Sequence, residues 1–191
     1  LFLNEEGEYD RKKAQFSLLS AGVPGSVAGF HHALINYGTL SWQEVIQPSI
    51  ELAEKGFLIP HDLANTLASK RYRERLSSDP AASKVFYKDD GSLYSAGELL
   101  IQKDLALTLK QISEQGPDAF YKGKIAKLIV REMEKNGGLI TLDDLENYNI
   151  VERDPVVGTY KDFKIVSMPP SSSGGTHLIQ MLNMLEEFPI K

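Results

Sequence analysis

Ser171-Ser172-Ser173-Gly174-Gly175 is the stretch whose residue types come nearest to chemistry in this 191-residue chain. It lies between an alternating apolar segment and a helical one, a place where successive backbone N–H groups bind an anion or an oxyanion. Its serines are candidate nucleophiles, yet no Gly-x-Ser-x-Gly elbow frames them. No Lys follows the glycines, so a Walker-type phosphate loop is excluded. A Ser cap with small residues that permit a tight strand-to-helix turn explains the same spacing without any reaction. The four histidines, His31, His32, His61 and His177, form neither a His-x-x-x-His nor a His-Glu-x-x-His pair, and no metal site is expected from them. The adjacent pair His31-His32 is expected to turn one ring to solvent. Asp143-Asp144 and Glu186-Glu187 fall at helix ends, where capping and solvated charge account for carboxylates. The absence of cysteine removes disulfides, thiolate nucleophiles and zinc–thiolate sites.

The elements that must position these groups are mostly helical. Val27, Phe30, Leu34 and Ile35 repeat at the spacing of one buried helix face, with Gly38 as its C-terminal cap. Ser41-Trp42-Gln43-Glu44 reads as a capping box opening a helix that runs to Lys55. Pro48 inside it predicts a kink or a break. Asp62 reads as the cap of a third helix carrying Leu63, Leu67 and Leu76, with Arg71, Arg73 and Arg75 late in it, where cations complement the dipole. Lys84-Val85-Phe86-Tyr87, between turn signals, reads as a short strand. Leu105, Leu109 and Ile112 define another helix, ended by Gly116-Pro117, and Pro117-Asp118 suits the first turn of the next. Gly116 to Gly123 combines that break with two aromatics, which packing explains. Ile125, Leu128, Ile129 and Met133 continue the pattern to Asn136-Gly137-Gly138, and Thr141 to Asp144 forms a second capping box.

The period becomes two only after Asp154-Pro155. Val156 to Tyr160 and Phe163 to Met168 predict a hairpin around Lys161-Asp162, and Leu178, Ile179, Leu182 and Leu185 predict a final helix. The pattern is therefore helix-rich α+β, with residues 21–150 mainly helical and 155–188 a strand pair plus helix. Residues 1–20 read as a solvated lead-in. With 42% hydrophobic and 25% charged residues the composition is that of a globular protein, and a net charge of −5 argues against a dedicated nucleic-acid binder. No stretch approaches the ~20 apolar residues of a membrane-spanning helix. Leu1 opens without Met or a signal-like layout and Lys191 directly follows an amphipathic segment, so an internal piece of a longer protein is expected.

Five motifs in order resemble the γ-glutamyltransferase (glutathione hydrolase) family: Gly22-Val23-Pro24-Gly25-Ser26-Val27-Ala28-Gly29-Phe30, Gln47-Pro48, Gly116 to Gly123, Asn136 to Thr141, and Met168 to Gly175. The resemblance runs from residue 1 to 191 and implies an N-terminal-nucleophile (Ntn) hydrolase with an αββα architecture. It implies a precursor that cuts itself into a large and a small subunit, this chain lying within the large one. The nucleophile would be the new N-terminal Thr of the partner small subunit, attacking the γ-glutamyl amide of glutathione or a related compound without metal or organic cofactor.

The family's Thr-Thr-His context is absent here. Gly175-Thr176-His177 opens an amphipathic helix and belongs to the large-subunit motif instead. The resemblance therefore carries no catalytic, substrate-binding or metal residue onto this chain, and Ser171 to Gly175 are expected to be a structural turn. By the same resemblance the parent is expected to be periplasmic or secreted. Alternatives are a related amidohydrolase, cephalosporin acylase or poly-γ-glutamate depolymerase, or a non-catalytic module. Apolar helix faces that meet missing chain are expected to lie open in the isolated piece.

Overall fold

The computed structural model describes residues 1–190, in two compact units. The first, Leu1–Tyr148, holds ten helices and one short sheet among its described residues. Chain order is α1 (Arg11–Phe16), a 3-10 turn (Leu18–Ser20), α2 (Ser26–Tyr37), α3 (Trp42–Lys55), β1 (Phe57–Leu58), α4 (His61–Ala68), α5 (Lys70–Ser77), α6 (Pro80–Phe86), β2 (Leu99–Leu100), α7 (Lys103–Gln115), α8 (Pro117–Tyr121), α9 (Lys124–Lys135) and α10 (Leu142–Glu146). The second unit, from Asn149, is the antiparallel pair β3 (Val156–Tyr160) and β4 (Phe163–Ser167) with α11 (Gly174–Glu186).

Helix starts follow local chemistry. Ser41 and Glu44 form a reciprocal capping box on α3, and Thr141 and Asp144 do the same on α10. Each box satisfies N–H groups that have no intrahelical acceptor. The break at Pro48 does not occur: α3 is one helix from Trp42 to Lys55. A mid-helix proline costs about 3 kcal/mol. Burying Ile46, Ile50 and Ala53 outweighs it, since each isoleucine contributes roughly 1.5–3 kcal/mol, and Pro48 itself stays exposed.

The single helix from Asp62 to Leu76 is instead two, α4 and α5, and Asp62 sits in the first turn rather than at the cap. The break falls at Ser69, whose backbone is extended and whose hydroxyl donates to the Thr66 carbonyl at 2.8 Å. A serine that bonds nearby backbone competes with the helical ladder. The segment Lys84 to Tyr87 is not a strand, because Lys84, Val85 and Phe86 lie in α6. Asp79 starts that helix by accepting from the N–H groups of Ala81 (2.8 Å) and Ala82 (3.1 Å), with Pro80 at the first position. This cap outweighs the β preference of Val85 and Phe86. Tyr87 alone makes a bridge, to Leu93.

The solvated lead-in has more order than its composition predicts. Leu3 pairs with Tyr9, and the Asp10 carboxylate caps α1 through the Lys13 N–H at 2.9 Å. The pair β1–β2, with Phe57 opposite Leu100, has no sequence signal; it closes the base of the excursion holding α4 to α6. On α2 the expected buried face is only partly covered, with Phe30 69% and Ile35 65% exposed.

Two apolar clusters carry the first unit. One gathers Ile46, Ile50, Ile112, Ala119 and Ile125, and the other Tyr121, Ala126, Ile140 and Leu145. Tyr121, only 6% exposed, stacks on Tyr148 with ring centroids 5.5 Å apart. Its hydroxyl donates to the Pro24 carbonyl at 2.6 Å and accepts from the Ala28 N–H at 3.3 Å. It thereby fastens the Gly-Val-Pro-Gly-Ser turn and the first turn of α2 onto α8.

Burial raises the Tyr121 phenol above its ordinary range; the Ala28 bond opposes this, and neighbouring Tyr148 adds to it. A phenol whose folded-state pKa is raised contributes stability fully below the unfolded value of about 10 and loses it as pH climbs through the folded one.

Tyr121→Phe is expected to lower stability by about 1–2 kcal/mol near neutral pH, read from urea unfolding midpoints. The gap between wild type and this variant should narrow above pH ~10, where the wild-type phenol titrates. An unchanged neutral-pH midpoint would show that the hydroxyl latch is dispensable.

Candidate functional site

The Ser171 to Gly175 turn joins β4 to α11. The Ser172 N–H donates to the Pro169 carbonyl at 3.1 Å, and the Ser172 hydroxyl accepts from the Gly174 N–H at 3.3 Å. Ser173 occupies the cap position in helical conformation, but its side chain makes no capping bond. The hydroxyl that turns the chain is therefore that of Ser172, one residue earlier. This is a positioning bond: an N–H donor holds the oxygen but cannot take its proton, as a general base must.

All three serines are exposed, whereas Gly175 is buried. A Cβ on Gly175 would collide with the Met168 carbonyl oxygen and lie 2.7 Å from Val156 Cγ2, and one on Gly158 would lie 2.6 Å from Ile179 Cγ2. The second glycine of the motif is thus dictated by the close approach of α11 to the hairpin. At the far end of the pair, Lys161 adopts φ 51° and its N–H donates to the Glu186 carboxylate. Glu186 is thereby spent on holding the turn to α11.

The remaining candidates are scattered. His31 and His32 are both half-buried, so neither ring of the pair is simply solvent-facing. His31 meets the Trp42 ring edge-on at 5.0 Å, and Trp42 in turn donates to the Ile112 carbonyl at 2.9 Å. His61 opens α4 and His177 lies in the first turn of α11, both exposed. Among the described residues no three His, Asp or Glu side chains gather closely enough to hold a metal ion. Asp144 is the capping carboxylate of α10, held below the usual range first by the Thr141 hydroxyl and then by its N–H. Asp143 accepts from the Asn147 amide at 2.9 Å.

What the structure does bring together is the pair of motifs around Pro24 and Tyr121, 97 positions apart. Sequence reasoning treated them separately; the signal it passed over was a tyrosine beside a glycine-bounded helix break. Next to them runs an apolar groove of about 610 Å³, lined among others by Val27, Phe30, Leu34, Trp42, Ile46 and Leu109. It contains no paired acid and base. Among the described residues, neither this groove nor the Ser171 to Gly175 turn brings a hydroxyl together with a side-chain base.

Comparison with known proteins places the chain in a family. The family model for gamma-glutamyltranspeptidase matches residues 1–191. The chain is 46% identical over 191 residues to a glutathione hydrolase proenzyme of Escherichia coli (strain K12), covering 100% of this chain and 33% of that protein. It is 40% identical over 171 residues to an Acylase ACY 1 proenzyme of Pseudomonas sp. (strain SE83), covering 90% of this chain and 30% of that protein. The crystal structure of Helicobacter pylori gamma-glutamyltranspeptidase matches with a TM-score of 0.95 at 46% identity, over 100% of this chain and 54% of that one. The chain spans about a third of the length of the curated relatives it matches. Its helix-rich α+β structure is a part of the Ntn-hydrolase αββα fold. The chain belongs to the gamma-glutamyltranspeptidase family.

Proposed function

We propose that the parent protein cleaves the γ-glutamyl amide of glutathione and transfers the γ-glutamyl group to water, an amino acid or a dipeptide, and that this chain is a scaffolding region of its large subunit. The observation that carries the reading is family agreement along the whole chain at 46% identity and a TM-score of 0.95. The scattered polar residues agree with it, since a chain that supplies framework needs no nucleophile of its own.

The nucleophile in this proposal is an N-terminal Thr on the small subunit released from the same precursor. Its free α-amine takes the hydroxyl proton as the oxygen attacks the amide carbon, so base and nucleophile belong to one residue. Oxyanion donors hold the tetrahedral charge, the amine departs with the proton, and water or an amine resolves the acyl-enzyme. The part of this chain is indirect. The Tyr121 latch and the close packing of α11 on the hairpin at Gly158 and Gly175 fix the framework, because misplacement of reacting groups by about an ångström is enough to slow such a step. The reading places the parent in the periplasm or outside the cell; among the described residues no helix is long and apolar enough to cross a membrane.

The 40%-identical acylase proenzyme favours one second reading, with the same nucleophile and a different acyl donor. The two readings separate on substrate: a γ-glutamyl anilide for the first, a cephalosporin side-chain amide for the second. A non-catalytic relative would turn over neither.

The parent precursor, purified and incubated, should split into two pieces on a denaturing gel with Thr at the new N-terminus, and the 191-residue chain alone should release no anilide. Ser171→Ala, Ser172→Ala and Ser173→Ala in the parent should each keep kcat/KM within about threefold, whereas loss of a catalytic nucleophile costs about 10⁴-fold or more. A serine variant that falls as far as the nucleophile variant would overturn the assignment of the turn as structural.

A further inference from the structure

The cationic side chains between α1 and α5 sit at odds with the acidity of the whole chain, whose net charge is −5. Lys12 and Phe16 from α1 face Lys70, Arg71, Glu74 and Arg75 from α5 across a concavity of about 830 Å³, with Asp79 at its edge, where its carboxylate caps α6 through the Ala81 and Ala82 N–H groups. The Arg75 guanidinium lies 4.2 Å over the Phe16 ring, which keeps it in place and leaves its edge open to a ligand. Phe16 itself is 53% exposed. Lys70 has only a 3.9 Å contact to Glu74, with both side chains largely in water, and such a pair contributes little. Lys12 and Arg71 have no carboxylate partner among the described residues. The dipole argument explains Arg75, in the last turn of α5, but not Lys70 or Arg71 in its first turn, where cations are unfavourable.

We propose that this concavity binds a short acidic peptide. Arg71 and Arg75 stand four residues apart on one face of α5, so their planar forks present paired donors suited to successive carboxylates. Lys12 closes the far side from α1, and the Phe16 ring offers an apolar shelf for the methylene stems between the charges. Glu74 on the same rim can accept a peptide N–H, a contact that bare phosphate does not offer. A long polyanion such as nucleic acid is disfavoured, because beyond about 10 Å the patch is screened and the acidic remainder of the chain takes over. This inference stands apart from the γ-glutamyl reaction and survives or fails without it.

The test is calorimetric titration of the protein carrying this chain with tetraglutamate, tetraglutamine and inorganic phosphate at about 50 mM salt, where surface charge is weakly screened. Tetraglutamate should bind, tetraglutamine should not, and phosphate should bind at least about tenfold more weakly than tetraglutamate, a gap of 1.4 kcal/mol. Arg71→Gln with Arg75→Gln should weaken tetraglutamate about tenfold or more, and Lys12→Gln about threefold. Arg71→Gln alone removes an exposed, unpartnered side chain and should leave the thermal unfolding midpoint unchanged. It therefore tests the site even where the double variant unfolds. No tetraglutamate binding, binding indifferent to Arg71→Gln, or phosphate binding as tightly as the peptide would each overturn the proposal.

Discussion

A single phenol holds the first unit to its topology. Tyr121 of α8 bonds both the Pro24 carbonyl and the Ala28 N–H, two backbone groups of the turn into α2 that lie more than ninety positions earlier in the chain. The chain between that turn and Tyr121 includes the whole excursion from α3 to α7, so bringing the two together carries a loop-closure cost that the contact offsets. The bond is worth about 1 kcal/mol by itself. Its larger effect is directional: it fixes where α2 starts, and α2 then lays Val27 against both apolar clusters. Hydrophobic burial supplies the bulk of the energy but has no direction, so the polar latch decides which packing is reached.

The second unit follows a different constraint, backbone proximity. A two-stranded hairpin is marginal in water. Here it gains a helix across one face, and the helix can lie close only because Gly158 and Gly175 present no Cβ. Its opposite face carries Val157 and Val166 as a cross-strand pair, both exposed. The serine run before α11 follows from the same geometry: a strand that ends against a close helix must turn sharply, and small polar residues bond the turn to itself.

Much of the framework was legible in the residues. Ser41 with Glu44 and Thr141 with Asp144 announce helices because capping is local, decided within four residues. The hairpin around Lys161-Asp162 showed in its alternation, and the family in five ordered motifs. Where the reading failed, a longer-range term outweighed a local one. Pro48 argued for a kink or a break, but the buried face of α3 runs through that stretch and the helix is unbroken. Val85 and Phe86 argued for a strand, but Asp79-Pro80 upstream started a helix through them.

By itself, the sequence determined the capping-box helix starts at Ser41 and Thr141, the strand pair and the family, because each depends on neighbours or on motif order. Only tertiary structure decided that Tyr121 reaches Pro24, that Phe57 pairs with Leu100, and that Lys12 and Phe16 face Arg71 and Arg75. Those meetings join residues from about forty to nearly a hundred positions apart. Between such distant partners no local periodicity carries information; the folded core brings them together.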